Sequence, residues 1–198
     1  MNKLKKLVIA AGVLLSMSAF TLNSKTDAAS FTHKVQSGET YWKIAKGLGV
    51  PINSLEAANH WSSLYAGKNI VIPNSPFTAA QKELMARLVH AEAVGEPYAG
   101  KVAVATVILN RIKSPDFPST LEGVVYQISN GHYAFTPVQN GQINQPADGA
   151  SKEAVNEAIA IEGKGKDSLF YYNPKTSTNS WILSRHVVAR IGNHVFAK

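Results

Sequence analysis

The chemistry open to this chain is narrow. It has no cysteine, which excludes a thiolate nucleophile, a disulfide framework and a zinc–thiolate site. No serine sits in a Gly-x-Ser-x-Gly elbow, and the six histidines form no His-Glu-x-x-His pair. His186 and His194, on neighbouring C-terminal pieces, read as ordinary strand or surface histidines, so no metal is expected. Carboxylates remain. Ten Asp and Glu residues follow position 77, and most fall on expected exposed faces, at caps or in polar turns. Glu92 differs. At helical spacing it shares a face with Leu84 and Leu88, while Glu83 and Arg87 fall on another and are expected to pair at i,i+4. A carboxylate on an apolar stripe must be paired, open to a cleft or kept protonated. The last two conditions describe a general acid. A helix-end glutamate that simply reaches water fits the position equally. Glu96 is the second choice, although its place before Pro97 is adequately explained by helix capping.

The elements that would position these groups are mostly helical. Thr78 is an expected N-cap for the helix that carries Glu92, and Gly95 and Pro97 end it. Pro97 then suits the first turn of a helix running to about Lys113, whose segment from Val102 to Leu109 is apolar all round, as a central buried helix requires. Ser119-Thr120-Leu121-Glu122 reads as a capping box before a short helix through Tyr126. Residues 129–148, rich in Asn, Gly, Gln and Pro around Phe135 and Ile143, are too long for a passive connector and are expected to form a functional loop or hairpin. A helix from about Gly149 to Glu162, stopped by Gly163, an extended aromatic run Leu169 to Pro174, and a hairpin turning at Gly192-Asn193 complete the chain.

With 198 residues, 45% apolar and 17% charged, the chain has room for one ordinary globular domain and a small one. Its formal charge is +7, of which Lys3, Lys5, Lys6 and Lys25 against Asp27 supply +3, leaving +4 for the remainder. No interleaving of Lys or Arg with aromatics marks a nucleic-acid groove, so no nucleic-acid partner is expected. Lys3, Lys5 and Lys6 followed by the 14-residue apolar run Leu7 to Phe20 read as a secretory signal peptide over residues 1–29, with cleavage near Ala29 or Ser30. The mature protein is therefore expected outside the cytoplasmic membrane, secreted, with no membrane span after cleavage. No Gly-rich phosphate loop is present and no cofactor is expected.

Residues 31–74 form a unit of their own: a strand at 32–36, a turn at 37–40, a helix Tyr41 to Leu48 with Trp42, Ile44, Ala45 and Leu48 on its apolar side, a second helix from Ser54 presenting Leu55, Ala58 and Trp61, and a strand Ile70 to Pro73. Two helices on one side of a two-stranded sheet is the economical packing for so small a core. The run His33 to Ala45, then Gly49-Val50, Leu55, Asn59 and Tyr65 to Pro73, resembles a LysM module. That resemblance implies binding of N-acetylglucosamine-containing glycans in a groove of Gly38, Glu39, Thr40 and Tyr41 facing Leu64 and Tyr65. Asn74 to Phe77 is a short linker, so the module is expected to hold substrate close to the domain over residues 78–198.

That domain carries a second resemblance. Leu84 to Glu96, Gly100 to Ala105, Leu109-Asn110-Arg111, Ala134 to Pro137, Gly141-Gln142-Ile143, Ala158, Phe170 to Asn173 and Ile191 to Phe196 are similar to the catalytic domain of the spore cortex-lytic cell-wall hydrolases, the SleB/CwlJ family. The resemblance implies an α+β protein, a βααβ LysM module followed by a mainly α, lysozyme-like or lytic-transglycosylase-like domain. It implies cleavage of peptidoglycan strands between N-acetylmuramic acid and N-acetylglucosamine, and it assigns the acid of the family's Ala-Glu-Ala motif to Glu92. The sequence offers no convincing second carboxylate, which fits the transglycosylase route. Phe135, Gln142, Tyr172 and Asn173 are candidate substrate contacts, since a glycan cleft needs rings and amides. Family members commonly carry a different N-terminal binding module, which leaves vegetative wall open beside cortex as substrate. A muramidase-type hydrolase, a non-catalytic wall-binding or scaffold protein, and an amidase or peptidase are the competing readings.

Overall fold

The computed structural model describes residues 31–129, 131–162 and 166–198. The expected leader lies outside the described residues, as does the stop at Gly163. Among the described residues no helix is long and apolar enough to cross a membrane.

The first unit is β1 (Phe31–Lys34), α1 (Tyr41–Leu48), α2 (Ile52–Ala58) and β2 (Asn69–Ile72), with β1 and β2 antiparallel and Phe31 opposite Ile72. Thr40 caps α1 through Lys43 N, and Gly49 ends it in the left-handed conformation with φ 62°. Val35, Ile44, Ala45, Val50, Leu55, Ile70 and Ile72 form its core. The buried Asn59 latches α2 to β2: its amide nitrogen donates to Leu55 O and Val71 O, and its oxygen accepts from Val71 N. Two expectations fail here. Trp61 is not on α2 but follows it at φ 54°, 64% exposed, because the chain must reverse sharply towards β2. Trp42 is 36% exposed, since Ile44 and Ala45 already fill the small core and the second position of α1 points past it.

The larger unit is built on three helices: α3 (Ala79–Glu92), α4 (Tyr98–Lys113) and α7 (Gly149–Ala160), with α4 packed against both others. Thr78 and Gln81 form a reciprocal capping box at the start of α3. Met85, Leu88, Val89, Val104, Ala105, Val107, Ile108 and Ile159 are fully buried between the helices, and truncating one of the leucines to alanine costs about 2–5 kcal/mol in such cores. The short α5 (Leu121–Val125) is capped by Thr120 rather than Ser119; Glu122 is drawn instead to Gln81 Nε2 at 3.1 Å. Glu83 does not pair with Arg87. Its carboxylate meets Lys152 at 2.9 Å, a partner from α7 that helix periodicity alone does not reveal.

Next come the paired strands β3 (Ile128–Ser129) and β4 (His132–Tyr133), then α6 (Thr136–Gln139) and a 3₁₀ turn at Gln142–Asn144. The C-terminal region is a three-stranded antiparallel sheet of β5 (Phe170–Tyr172), β6 (Val187–Ile191) and β7 (His194–Ala197), with β7 in the centre; α8 (Ser180–Leu183) lies between β5 and β6 in sequence. The expected hairpin is thus part of a larger sheet completed by the aromatic run.

The two units touch. Ala160 of α7 enters the core of the first unit. Lys46 Nζ meets Glu157 at 2.6 Å, and Tyr98 OH donates to the same carboxylate oxygen at 2.8 Å. Lys82 Nζ donates to Leu48 O and Ser75 Oγ to Gly49 O. Gly49 suits its left-handed φ, and a Cβ there would also displace the Asn156 side chain of α7.

Candidate active site

Glu92 is the last residue of α3, where the helix gives way to an elbow at residues 93–97 that leads into α4. Gly95 supplies the turn with φ 74°. Glu96 does not cap a helix as expected: it reaches across to the β6–β7 turn, where its carboxylate accepts from Asn193 N at 3.0 Å and Asn193 Nδ2 at 3.1 Å. A Cβ on Gly192 would run into the Glu96 carboxylate, so Gly192-Asn193 is a docking turn as well as a hairpin turn. The elbow and the sheet are locked together by this contact.

The lock brings β5 over Glu92. Tyr171 OH donates to Glu92 Oε2 at 2.9 Å. The Tyr171 ring is held from beneath by β7, with His194 at 5.2 Å and Phe196 at 5.9 Å between ring centroids. From the other side, α4 fixes the strand's entry: Arg111 Nε donates to Leu169 O at 2.8 Å, and Asn110 Nδ2 donates to Ser168 O and Lys166 O. Arg111 is 8% exposed and its guanidinium lies 5.0 Å from the ring centres of Phe117 and Phe135 and 5.7 Å from Phe170. Three aromatic faces offset part of the cost of burying that charge.

The electrostatics separate Glu92 from the other acids. Burial pushes its carboxyl above the usual range, against the lowering effects of the Tyr171 hydrogen bond and the Arg111 charge. Burial likewise raises Tyr171 well above its ordinary value, and the Glu92 charge adds to this, so the hydroxyl stays a donor. Among the described residues no second carboxylate acts on Glu92. Asp148, the N-cap of α7, is held down to about 2 by hydrogen bonds from Ser151, with smaller help from Lys101 and His90. It is therefore a permanent anion with its own partners. No group of His, Asp and Glu among the described residues could hold a metal ion. An apolar hollow of about 290 Å³ between α4 and the sheet includes none of Glu92, Tyr171 or Arg111.

The other expected substrate contacts fare unequally. Phe135 is 2% exposed and lies under the Arg111 guanidinium, so it is a packing residue and cannot stack on a sugar. Tyr172 is adjacent to the tyrosine that meets Glu92; alternation along β5 gives that role to Tyr171. Asn173 builds the turn after β5, with its side chain accepting from Lys175 N. Gln142 is exposed on the 3₁₀ turn beside α3, its carbonyl accepting from Asn140 Nδ2. Sequence reasoning missed Tyr171 and Arg111. An arginine just after the apolar run Val102 to Leu109 was the available signal for the second.

In the first unit, Tyr41 and Leu64 of the expected groove line one hollow with Trp61 and Ser62. Tyr41 OH donates to Ser62 O at 3.1 Å, which ties the start of α1 to the loop after α2. Glu39 is held by Gln36 N and His33 Nε2, each at 2.7 Å, and Thr40 is used as a cap. Gly38, at φ 78°, has open space where a Cβ would be, and Tyr65 is 64% exposed. Leu64 is partly buried against the module core.

The Cell Wall Hydrolase family pattern matches residues 95–197, and the LysM domain pattern matches residues 33–73. Glu92 lies three residues ahead of the first match. A spore cortex-lytic enzyme of Bacillus subtilis is 41% identical over 133 residues, covering 66% of this chain and 42% of that protein. The chain thus spans less than half the length of that relative. The cell wall hydrolase CwlJ of Bacillus subtilis is 32% identical over 125 residues, which cover 60% of this chain and 85% of that protein. Among solved structures, the catalytic domain of the germination-specific lytic transglycosylase SleB from Bacillus anthracis superposes with a TM-score of 0.55 at 41% identity, over 64% of this chain and all of that one.

Proposed function

This chain belongs to the Cell Wall Hydrolase family and carries a LysM domain, and from that membership we propose that it is an exported peptidoglycan-cleaving enzyme that works as a lytic transglycosylase with Glu92 as its single acid. The observation that carries the reading is the environment of Glu92: a carboxyl raised by burial, hydrogen-bonded by Tyr171, with no second carboxylate acting on it among the described residues. The relatives named for spore cortex lysis support cell-envelope glycan as the substrate and sporulation or germination as the setting. The leader expected over residues 1–29 supplies the route out of the cytoplasm.

In the proposed reaction, protonated Glu92 donates to the glycosidic oxygen as the bond from the muramic C1 breaks. The Tyr171 hydrogen bond and the Arg111 charge then stabilise the carboxylate left behind. That carboxylate takes the proton of the muramic 6-hydroxyl, whose oxygen closes on C1. The product is a 1,6-anhydro ring, Glu92 is protonated again, and no water is consumed. Ordinary glycosidases instead need a second carboxylate as base or nucleophile. The expected LysM groove at Gly38, Glu39, Thr40, Tyr41, Leu64 and Tyr65 would hold the strand meanwhile.

Mass spectrometry of the fragments released from purified wall and cortex peptidoglycan tests this. Anhydromuramic ends are expected. Reducing ends, heavier by one water, would make the protein a muramidase-type hydrolase, and free peptides without glycan scission would remove the glycosidase reading.

A further inference from the structure

The seam between the two units holds a hollow of about 530 Å³, lined by Trp42, Lys43, Lys46 and Gly47 of α1 and by Glu153 and Asn156 of α7. That volume lies within the range of small-molecule sites. Its groups are unequally free. Lys46 is committed to Glu157, and Lys43 Nζ donates to Gly38 O at 2.8 Å. Glu153 is exposed and has neither an ion pair nor a hydrogen bond among the described residues. The Asn156 amide lies on the wall, its nitrogen 3.4 Å from Gly47 O. Trp42 offers an indole at a position where helix periodicity calls for core.

A ring, a carboxylate acceptor and an amide are the set that receives a neutral polyhydroxylated ligand: the indole covers the C–H face of a pyranose, and the polar groups take hydroxyl and acetamide N–H donors. With both lysines already engaged, the set does not favour an anion. We infer that the hollow between α1 and α7 is a carbohydrate subsite, built jointly by the two units, for an N-acetylated amino sugar of a glycan strand. This rests on the glycan-cleaving reading above but adds a site that neither unit has alone. A second hollow of about 270 Å³ shares Asn156 as a wall and continues to Lys82 on α3.

The chain has three tryptophans, so a full-length Glu92→Gln variant carrying Trp61→Phe and Trp181→Phe leaves Trp42 as the single indole. Titration with the N-acetylglucosamine hexamer is expected to shift Trp42 emission to the blue and to saturate. Adding Glu153→Ala, at an exposed position, is expected to weaken that transition about fivefold. Calorimetric binding of the hexamer that depends on Tyr65 while Trp42 emission stays unchanged would overturn the seam subsite and leave the LysM groove standing. A shift that follows protein concentration rather than sugar would assign the face to a second copy and overturn it too. No binding by either signal would remove glycan recognition as a whole, while anhydro product analysis would still judge the acid separately.

Discussion

Two glutamates beside helix ends show how differently the units use the same side chain. Glu39 precedes α1 on the surface of the LysM module, where Gln36 N–H and then His33 hold its carboxyl below the usual range. Glu92 ends α3 in the larger domain, where burial raises it and one phenol and one distant guanidinium only partly restore it. A carboxylate given backbone donors and water is a fixed anion that shapes a loop. One given burial and a single donor is held above the usual range, the direction a proton donor needs. The LysM module commits these polar groups to structure, whereas the larger domain holds one buried carboxyl with a single hydrogen-bond donor.

Breaking the support of Glu92 should hurt most. Arg111→Ala removes a buried side chain that bridges three rings and leaves Leu169 O without its donor; a loss of about 3 kcal/mol in denaturant unfolding is expected, with turnover falling alongside it. Gly49→Ala attacks the seam instead. A left-handed alanine costs about 1–2 kcal/mol, and its methyl displaces Asn156, so the melting temperature should drop while a wild-type pH profile is retained. Tyr171→Phe should slow wall digestion about tenfold, equivalent to about 1.4 kcal/mol. Because the lost hydrogen bond favoured the ionised acid, the alkaline limb of the rate profile should move to higher pH. Glu157→Gln breaks the pairing with Lys46 at a partly exposed site and should cost less than about 1 kcal/mol.

The pH dependence of stability sharpens the same contrast. The raised Glu92 gives stability that is full below the ordinary glutamate value and is lost as pH rises through its folded value. The lowered Glu39 does the reverse, stabilising above the ordinary value and losing this as pH falls. Thermal unfolding across pH should therefore lose its alkaline decline in Glu92→Gln and part of its acid decline in Glu39→Gln. Equal profiles for the two variants would erase the distinction.

Much of the fold was legible because it rests on local rules. The Thr78 cap, the Gly49 stop, the apolar run of α4 and the Gly192-Asn193 turn each follow from one or two residue types at fixed spacing. What sequence could not show depends on partners distant in the chain. Glu83 finds Lys152 rather than Arg87, and Glu96 finds Asn193. The candidate substrate contacts suffered from the same limit. Phe135 reads as an aromatic in a polar loop, but it lies beneath Arg111, and Tyr172 stands one residue away from the tyrosine that strand alternation turns towards Glu92. Glu92 itself stood out because a charge on an apolar stripe is conspicuous without any knowledge of its neighbours.

The most direct test is turnover of purified peptidoglycan by Glu92→Gln, with binding to the same walls measured in parallel. A positioned general acid contributes about 10²–10⁴-fold, so turnover is expected to fall by about three orders of magnitude while wall binding and melting temperature stay near wild type. Turnover within a factor of two of wild type would contradict it and move the chemistry away from Glu92.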